Sequence, residues 1–269
     1  MSVVAPTLSR TNVKAERRLG LTPRGWIIAG SLLLVALLEF SPRLGWIDSF
    51  SLPPLSTMLV HAGELLVDGT FWAEDLLPSL TAMAWCFVLA SSIGIATGLF
   101  LWRFPMVRRV FDPWLTTYYA IPIFALYPIL IVIAGVGMVP IVALGTSLAV
   151  VSVITATMDG LDATPRYALR LSESLQLSPI SRTMKILLPA AVEQINVGLR
   201  LALSFSIIGV LASEFILSTS GLGHFISYSY DSFAIADMYG GILLVIALAL
   251  ALNLLFGALL NKRTRRIQP

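Results

Sequence analysis

Long apolar runs separated by short polar intervals set the plan of this chain. Asp112 and Asp159 enclose 46 residues without a charged side chain, Asp75 and Arg103 enclose 27, and Asp237 and Lys262 enclose 24. A helix needs about 20 apolar residues to cross a bilayer. Each run is therefore long enough to span, and the longest is long enough to span twice. Gly135-Val136-Gly137-Met138-Val139-Pro140 interrupts that longest run with a turn signal. With an apolar stretch near the N-terminus and another after Pro189, the pattern predicts six spans at about 25–40 (extended at both ends), 77–102, 114–134, 139–158, 190–217 and 238–260. The period-two alternation of a membrane barrel strand is absent. The expected fold class is an all-α polytopic membrane protein with six transmembrane helices.

The polar intervals carry the rest of the pattern. Residues 41–74 hold three prolines and four acids, with a candidate amphipathic surface helix at 55–66. The central interval, 159–189, contains Thr164-Pro165 and Ser178-Pro179. Each reads as a side-chain N-cap followed by proline at the first helical position. Two short helices are expected there, the first over about 166–177. Lysine and arginine fix the orientation. Sixteen of the 18 lie in the N-terminal 24 residues, the 103–109 loop, the central interval and the C-terminus; Arg43 lies on the other side and Arg200 within a span. Both termini and the central interval are therefore expected in the cytoplasm, as an even number of spans requires.

Composition agrees: 57% of residues are apolar and 12% charged, against about a quarter charged in soluble domains. The net charge of +3 is explained by the loops and gives no reason to expect nucleic acid. Cys86 is the single cysteine, so no intrachain disulfide can form. None of the 19 glycines precedes a lysine, which removes the end of the phosphate-binding loop motif. The chain is not expected to hydrolyse ATP or to be an enzyme. His61 and His224 are the only histidines, too few for a metal cluster of the usual spacing. Neither metal nor cofactor is expected. Ionisable groups inside spans are expensive and often functional, which singles out Arg200 and Glu214. With Tyr118, Tyr119, Gly221 and Gly223 they form the candidate pathway or gate set. The two glycines supply backbone freedom for a tight turn.

From residue 76 to 266 the sequence resembles the permease subunits of ABC importers, the inner-membrane components of binding-protein-dependent transport, most nearly the branch serving nitrate, sulfonate and taurine. The resemblance is carried by Arg103 to Pro113, by Tyr118-Tyr119-Ala120-Ile121-Pro122, by Ile186-Leu187-Leu188-Pro189 and the apolar run through Arg200 to Glu214, and by Ser220-Gly221-Leu222-Gly223. The family's cytoplasmic motif is Glu-Ala-Ala, three residues, glycine, nine residues, an apolar residue, one residue, Leu-Pro. Counted back from Leu188-Pro189, Ile186 takes the apolar position, Gln176 the glycine, and Arg170-Leu171-Ser172 the Glu-Ala-Ala. The end of the motif is kept and its front is not.

The resemblance implies the ABC importer permease fold: a cytoplasmic tail over 1–24 and a transmembrane domain over 25–266, with 159–189 as the coupling loop. It implies two cytoplasmic ATP-binding subunits, a second permease subunit (identical or different), an external substrate-binding protein and a bacterial inner-membrane location. Arg166, Arg170, Leu171, Ser172, Glu173, Leu175, Gln176, Leu188 and Pro189 are the expected coupling residues. The implied function is ATP-driven import of a small solute, an organic or inorganic anion such as sulfonate, nitrate or taurine. The rival is an ATPase-independent secondary carrier, which would want internal repeats and broken helices at matching positions. An intramembrane enzyme would want paired carboxylates or a histidine within spans, and the sequence supplies neither.

Overall fold

The structure, a computed structural model, describes residues 23–267, and every regular element among them is helical. The N-terminal tail, expected over 1–24, lies outside the described residues except for its last two, which begin the first helix. The helices are α1 (Pro23–Arg43), α2 (Leu55–Val67), α3 (Leu77–Arg103), α4 (Pro105–Thr117), α5 (Tyr127–Ala134), α6 (Met138–Asp162), α7 (Arg166–Ser174), α8 (Leu188–Leu217), α9 (Leu222–Asp231) and α10 (Ile235–Ile267).

Three helices, α3, α6 and α8, make the core, and the most extensive contacts run from α6 to the other two. α3 and α6 carry no charged residue before their last turns, and α8 carries Glu193, Arg200 and Glu214. Lipid is as apolar as leucine, so helices in a bilayer gain by close packing on small residues rather than by burying grease. Gly209 and Gly145 meet backbone to backbone: a Cβ on Gly209 would lie 2.7 Å from the Gly145 Cα. Around this crossing pack Cys86, Leu144, Val210 and Tyr127, all 2% exposed or less. α10 lies outside this core against α2 and α9, and α1 is peripheral.

The continuous helices that contain α3 and α8 begin at Gly69 and Pro179, earlier than the apolar pattern implied. A turn at Gly69–Phe71 and a π-turn at Trp72–Leu76 run straight into α3. Pro179–Arg182 and a π-turn at Thr183–Leu187 run straight into α8. In each case Leu-Pro follows the π-turn (Leu77-Pro78, Leu188-Pro189). Proline has no N–H and its ring crowds the carbonyl four residues back; the wider π-turn carries the helix past it.

The third span departs most from expectation. It is two arms, Pro105–Ala120 and Ile123–Ala134, inclined at 88°. Pro122 forces its predecessor out of the helical region, and Ile121 is accordingly extended at φ −77°, ψ 127°. Among the described residues, five helices are able by length and composition to cross a bilayer, or six if the bent pair counts as one.

Two peripheral joints orient the outer elements. Glu39 of α1 accepts the Ser56 amide and hydroxyl (2.9 and 3.0 Å), capping α2 where Pro54 cannot. His61 of α2 pairs with Asp237 of α10 at 2.7 Å.

Replacing Gly209 by leucine drives a side chain into the Gly145 backbone. Overpacking of this kind costs about 1–3 kcal/mol. The expected result is a lower midpoint in a thermal aggregation assay of the detergent-solubilised protein. Leucine at Gly30, which has open space around it, should leave the midpoint unchanged.

Candidate functional site

At the end of the bundle that carries Arg103 and Arg108, the polar interval folds as α7 and a one-turn helix. Thr164 does not cap α7: its hydroxyl is donated back to the Gly160 carbonyl of α6 at 3.4 Å. Ser178 does cap the next turn, its Oγ accepting from the Ser181 amide at 3.3 Å. That turn is not a separate helix, as the two-helix expectation had it, but the beginning of the rod that becomes α8.

α7 ends in a left-handed residue. Gln176 has φ +46°, and the Leu177 amide reaches back to the Ser172 carbonyl at 3.2 Å. A left-handed residue followed by this six-to-one bond is the Schellman termination, whose left-handed position is usually glycine. Gln176 therefore holds a left-handed backbone at a cost of roughly 1 kcal/mol for a residue with a Cβ. Ser172 aligns with the motif's second alanine. It is buried, and its hydroxyl is returned to the Leu169 carbonyl, so it is as small and as silent there as alanine. Arg170 and Leu175 are exposed. Arg166, Leu171 and Glu173 form part of the α7 backbone, and their side chains lie outside the described ones. Leu188 is half-buried in the first turn of α8 and Pro189 is exposed beside it.

Between this segment and the end of α3 lies an open cleft of about 790 Å³, lined by Trp102, Arg103, Ile180, Arg182 and Met184 among others. Asp162, at the end of α6, gathers Arg108 at 2.8 Å and the Trp102 indole N–H at 3.1 Å. The ends of α3 and α6 and the start of α4 are thereby tied together beside α7.

The opposite end of α8 carries Glu214, which is 2% exposed. Ser79 of α3 donates its hydroxyl to this carboxylate, with 2.8 and 2.7 Å to the two oxygens. The Ser79 oxygen in turn accepts the Leu222 amide at 2.7 Å, and Glu214 Oε2 accepts the Gly223 amide at 3.0 Å. These two amides open α9, whose cap residue, Gly221, has no side chain. The orphan donors of a helix start are met here by side chains of two other helices, and a carboxylate suits the positive end of the helix dipole.

A fourth bond completes the clamp. Pro78 offers no N–H to the Glu74 carbonyl four residues back, and that carbonyl accepts the Gly221 amide at 3.1 Å. Gly221 sits at φ +103°, and a Cβ there would overlap the Glu214 carboxyl; a Cβ on Gly223 would overlap the Leu211 carbonyl. Both positions require glycine. Glu214, Gly221 and Gly223 are thus brought together as one buried joint, beside a cavity of about 350 Å³ that Pro78, Thr81, Met138 and Ser218 help to line. Ser79 and Glu74 were missed in the sequence; the available signal was Leu77-Pro78, which repeats Leu188-Pro189.

Tyr118 and Tyr119 sit at the break between α4 and α5. Tyr119 stacks on Phe205 of α8 at 5.5 Å. Arg200 of α8 reaches the Gly257 carbonyl of α10 at 3.5 Å, and Ser204 meets Asn253 at 3.1 Å. Of the pathway candidates, Tyr119 and Arg200 are exposed and Tyr118 is half-buried.

Comparison with known proteins gives a consistent picture. Residues 90–268 match the family model described as "Binding-protein-dependent transport system inner membrane component". The chain is 27% identical to the taurine transport system permease protein TauC of Escherichia coli, covering 81% of each chain. It is 26% identical to the putative aliphatic sulfonates transport permease protein SsuC of Bacillus subtilis, covering 89% of this chain and 88% of the other. Its fold is similar to a chain of the MetNI methionine ABC transporter in an inward-facing conformation, with a TM-score of 0.58 and 17% identity, over 76% of this chain and all of that one.

Two substitutions test the geometry. Gln176→Gly removes the Cβ from a left-handed residue and should strengthen the end of α7 by about 1 kcal/mol. Hydrogen exchange of the amides at 175–177 should slow several-fold, and Gln176→Val should speed it. Glu214→Ala strips acceptors from two buried donors, each worth about 1–3 kcal/mol. It should lower the thermal midpoint more than Glu214→Gln, which keeps one acceptor oxygen.

Proposed function

Because this chain belongs to the family of binding-protein-dependent transport system inner membrane components, we propose that it carries a small oxyanion, of the sulfonate, nitrate or taurine kind, across the membrane. Permeases of this family are the membrane part of ATP-driven importers, lie in the inner membrane and are not themselves enzymes; ATP hydrolysis belongs to separate ATP-binding subunits, and a substrate-binding protein supplies the solute. The observation that carries the reading is the family match over 90–268. The sulfonate relatives support the solute class. So does the charge pattern: Arg200 is the one cation in the interior of the α8 run, and 113–158 contribute no charge at all.

In this reading residues 25–266 are the permease domain, 159–189 the coupling loop, and both termini are cytoplasmic. Of two ATP-binding subunits, one seats on α7 through Arg170, Leu175 and the flanking residues and the other on the second permease. Closure of those subunits on ATP moves α7 as a body. The movement passes into the continuous helix from Pro179 to Ile216, and so to the Glu214 clamp at its far end. Such rigid-body transfer from an interface is a standard means of switching access. A second permease completes the pathway. The altered front of the motif favours a different chain as that second permease, one with the intact motif; co-purification of a single permease species would count against this.

The broken span is the one observation that favours a secondary carrier. That reading wants a matching break in a second, repeated half, and among the described residues the bend at 121–122 is single.

The test is co-purification of the solubilised chain with and without 166–179 replaced by a flexible linker. An ATP-binding subunit is expected with the intact chain and not with the variant at equal expression. Its absence from both would overturn the reading. ATP hydrolysis by the reconstituted importer with its binding protein should rise with taurine or ethanesulfonate, and not with an organic cation such as choline.

A further inference from the structure

We propose that the break between α4 and α5 is a solute contact point halfway across the membrane, where the Tyr119 phenol donates a hydrogen bond to an oxyanion. The proposal rests on the importer reading for the identity of the solute and on the geometry of the break for everything else.

Depth comes first. The Tyr118 hydroxyl lies beside Ser147 and the Tyr119 hydroxyl beside Ser152, and these serines bracket the middle of α6. Phe205, on which Tyr119 stacks, is near the middle of α8. The non-helical backbone of 118–122 is therefore central in the bundle. Irregular backbone at that depth cannot face lipid, because its polar groups would be unpaired. Yet residues 119–122 are exposed on this chain, Tyr119 by 47% and Ile121 by 46%. Their surroundings must hydrogen-bond, and a water-filled path does so.

The groups at the break are suited to an anion in transit. Pro122 has no N–H, and the Ile123 amide turns to the Ile121 carbonyl, so the Tyr119 carbonyl has lost both its helical partners and needs water. Tyr118 and Tyr119 add neutral hydroxyls, whose protons can rotate from the neighbouring Ser147 and Ser152 toward a solute. No charged residue lies between Asp112 and Asp159, so nothing in this run holds an ion by charge. Sites that pass ions must bind well enough to admit and weakly enough to release, and a phenol facing an oxyanion meets that condition.

The experiment uses the assembled importer with Ala120→Cys as reporter, which leaves Tyr119 in place. Cys86 is 0% exposed, so the native background should be silent. The probe is the thiol reagent sulfonatoethyl methanethiosulfonate, a membrane-impermeant sulfonate. Labelling at position 120 is expected, slowed by excess ethanesulfonate. Val132→Cys, on the apolar face of α5 and 86% exposed in the native residue, should stay unlabelled. Adding Tyr119→Phe keeps the ring stack and removes the donor; the ethanesulfonate concentration for half-protection should rise about tenfold, as expected for a lost hydrogen bond to a charged group. No labelling at 120, equal labelling at 120 and 132, or protection unchanged by Tyr119→Phe would each overturn the proposal. Labelling requires no ATP hydrolysis, so these outcomes are separate from failure of the importer reading, which shows as absence of a co-purifying ATP-binding subunit.

Discussion

Inside a bilayer there is no water to complete a hydrogen bond, so each backbone amide and carbonyl must find its partner within the protein. That requirement organises the places where this chain departs from plain helix. Pro78 deprives Glu74 of its helical donor, and the orphaned carbonyl becomes the acceptor for Gly221. Gly221 caps α9 without a side chain of its own, and the amides that follow it are met by Ser79 and Glu214. One missing N–H and one missing side chain, on segments far apart in sequence, are answered by the same buried joint. Glu214 stands near the end of a span because two buried donors there, the Ser79 hydroxyl and the Gly223 amide, would otherwise go unmatched.

The same helix links that joint to the other end of the molecule. From Pro179 to Ile216 the chain is continuously helical over 38 residues, about 57 Å at 1.5 Å per residue. Its first turn is capped by Ser178 directly after α7; its last turns hold the Glu214 clamp. A tilt imposed at α7 therefore displaces the loop at Gly221 without any relay of side chains. The π-turn at Thr183–Leu187 is the only irregularity on the rod, and it is where bending would be absorbed. Close packing on Gly145 and Gly209 resists deformation of the core, so movement is expected as rotation of intact helices.

The legible part of the fold was the part governed by local composition. Uncharged runs gave the spans, Gly135-Val136-Gly137 gave the turn between α5 and α6, and Ser178-Pro179 gave a true cap. Thr164-Pro165 looked alike and was not a cap, because Thr164 is buried against α6 and its hydroxyl finds the Gly160 carbonyl first. The broken third span was not legible although Pro122 was in view: proline within a span is compatible with a mild kink, whereas the two arms stand at 88°. Glu214 was noticed as a buried acid, yet its partner could not be, since Ser79 is 135 residues away and one serine among many. Gln176, which counts to the motif's glycine, is left-handed at φ +46°, a conformation that spacing alone does not reveal.

Where the solute can pass follows from where it cannot. The α3–α6–α8 core is closed at the Gly145–Gly209 crossing to less than the width of a methyl group, and Tyr127, Cys86 and Val210 fill the space around it. A solute of the proposed kind could not thread that core without separating helices whose backbones touch, so the proposed passage is placed along an outer face of the chain. The face that offers polar groups at mid-depth is the break at Tyr118–Pro122, where Tyr119 and Ile121 are exposed. A path bounded by this chain on one side only is open to lipid, and a polar solute there would be lost. On the reading proposed above, a path at the break wants a second wall, and a second permease subunit would supply it.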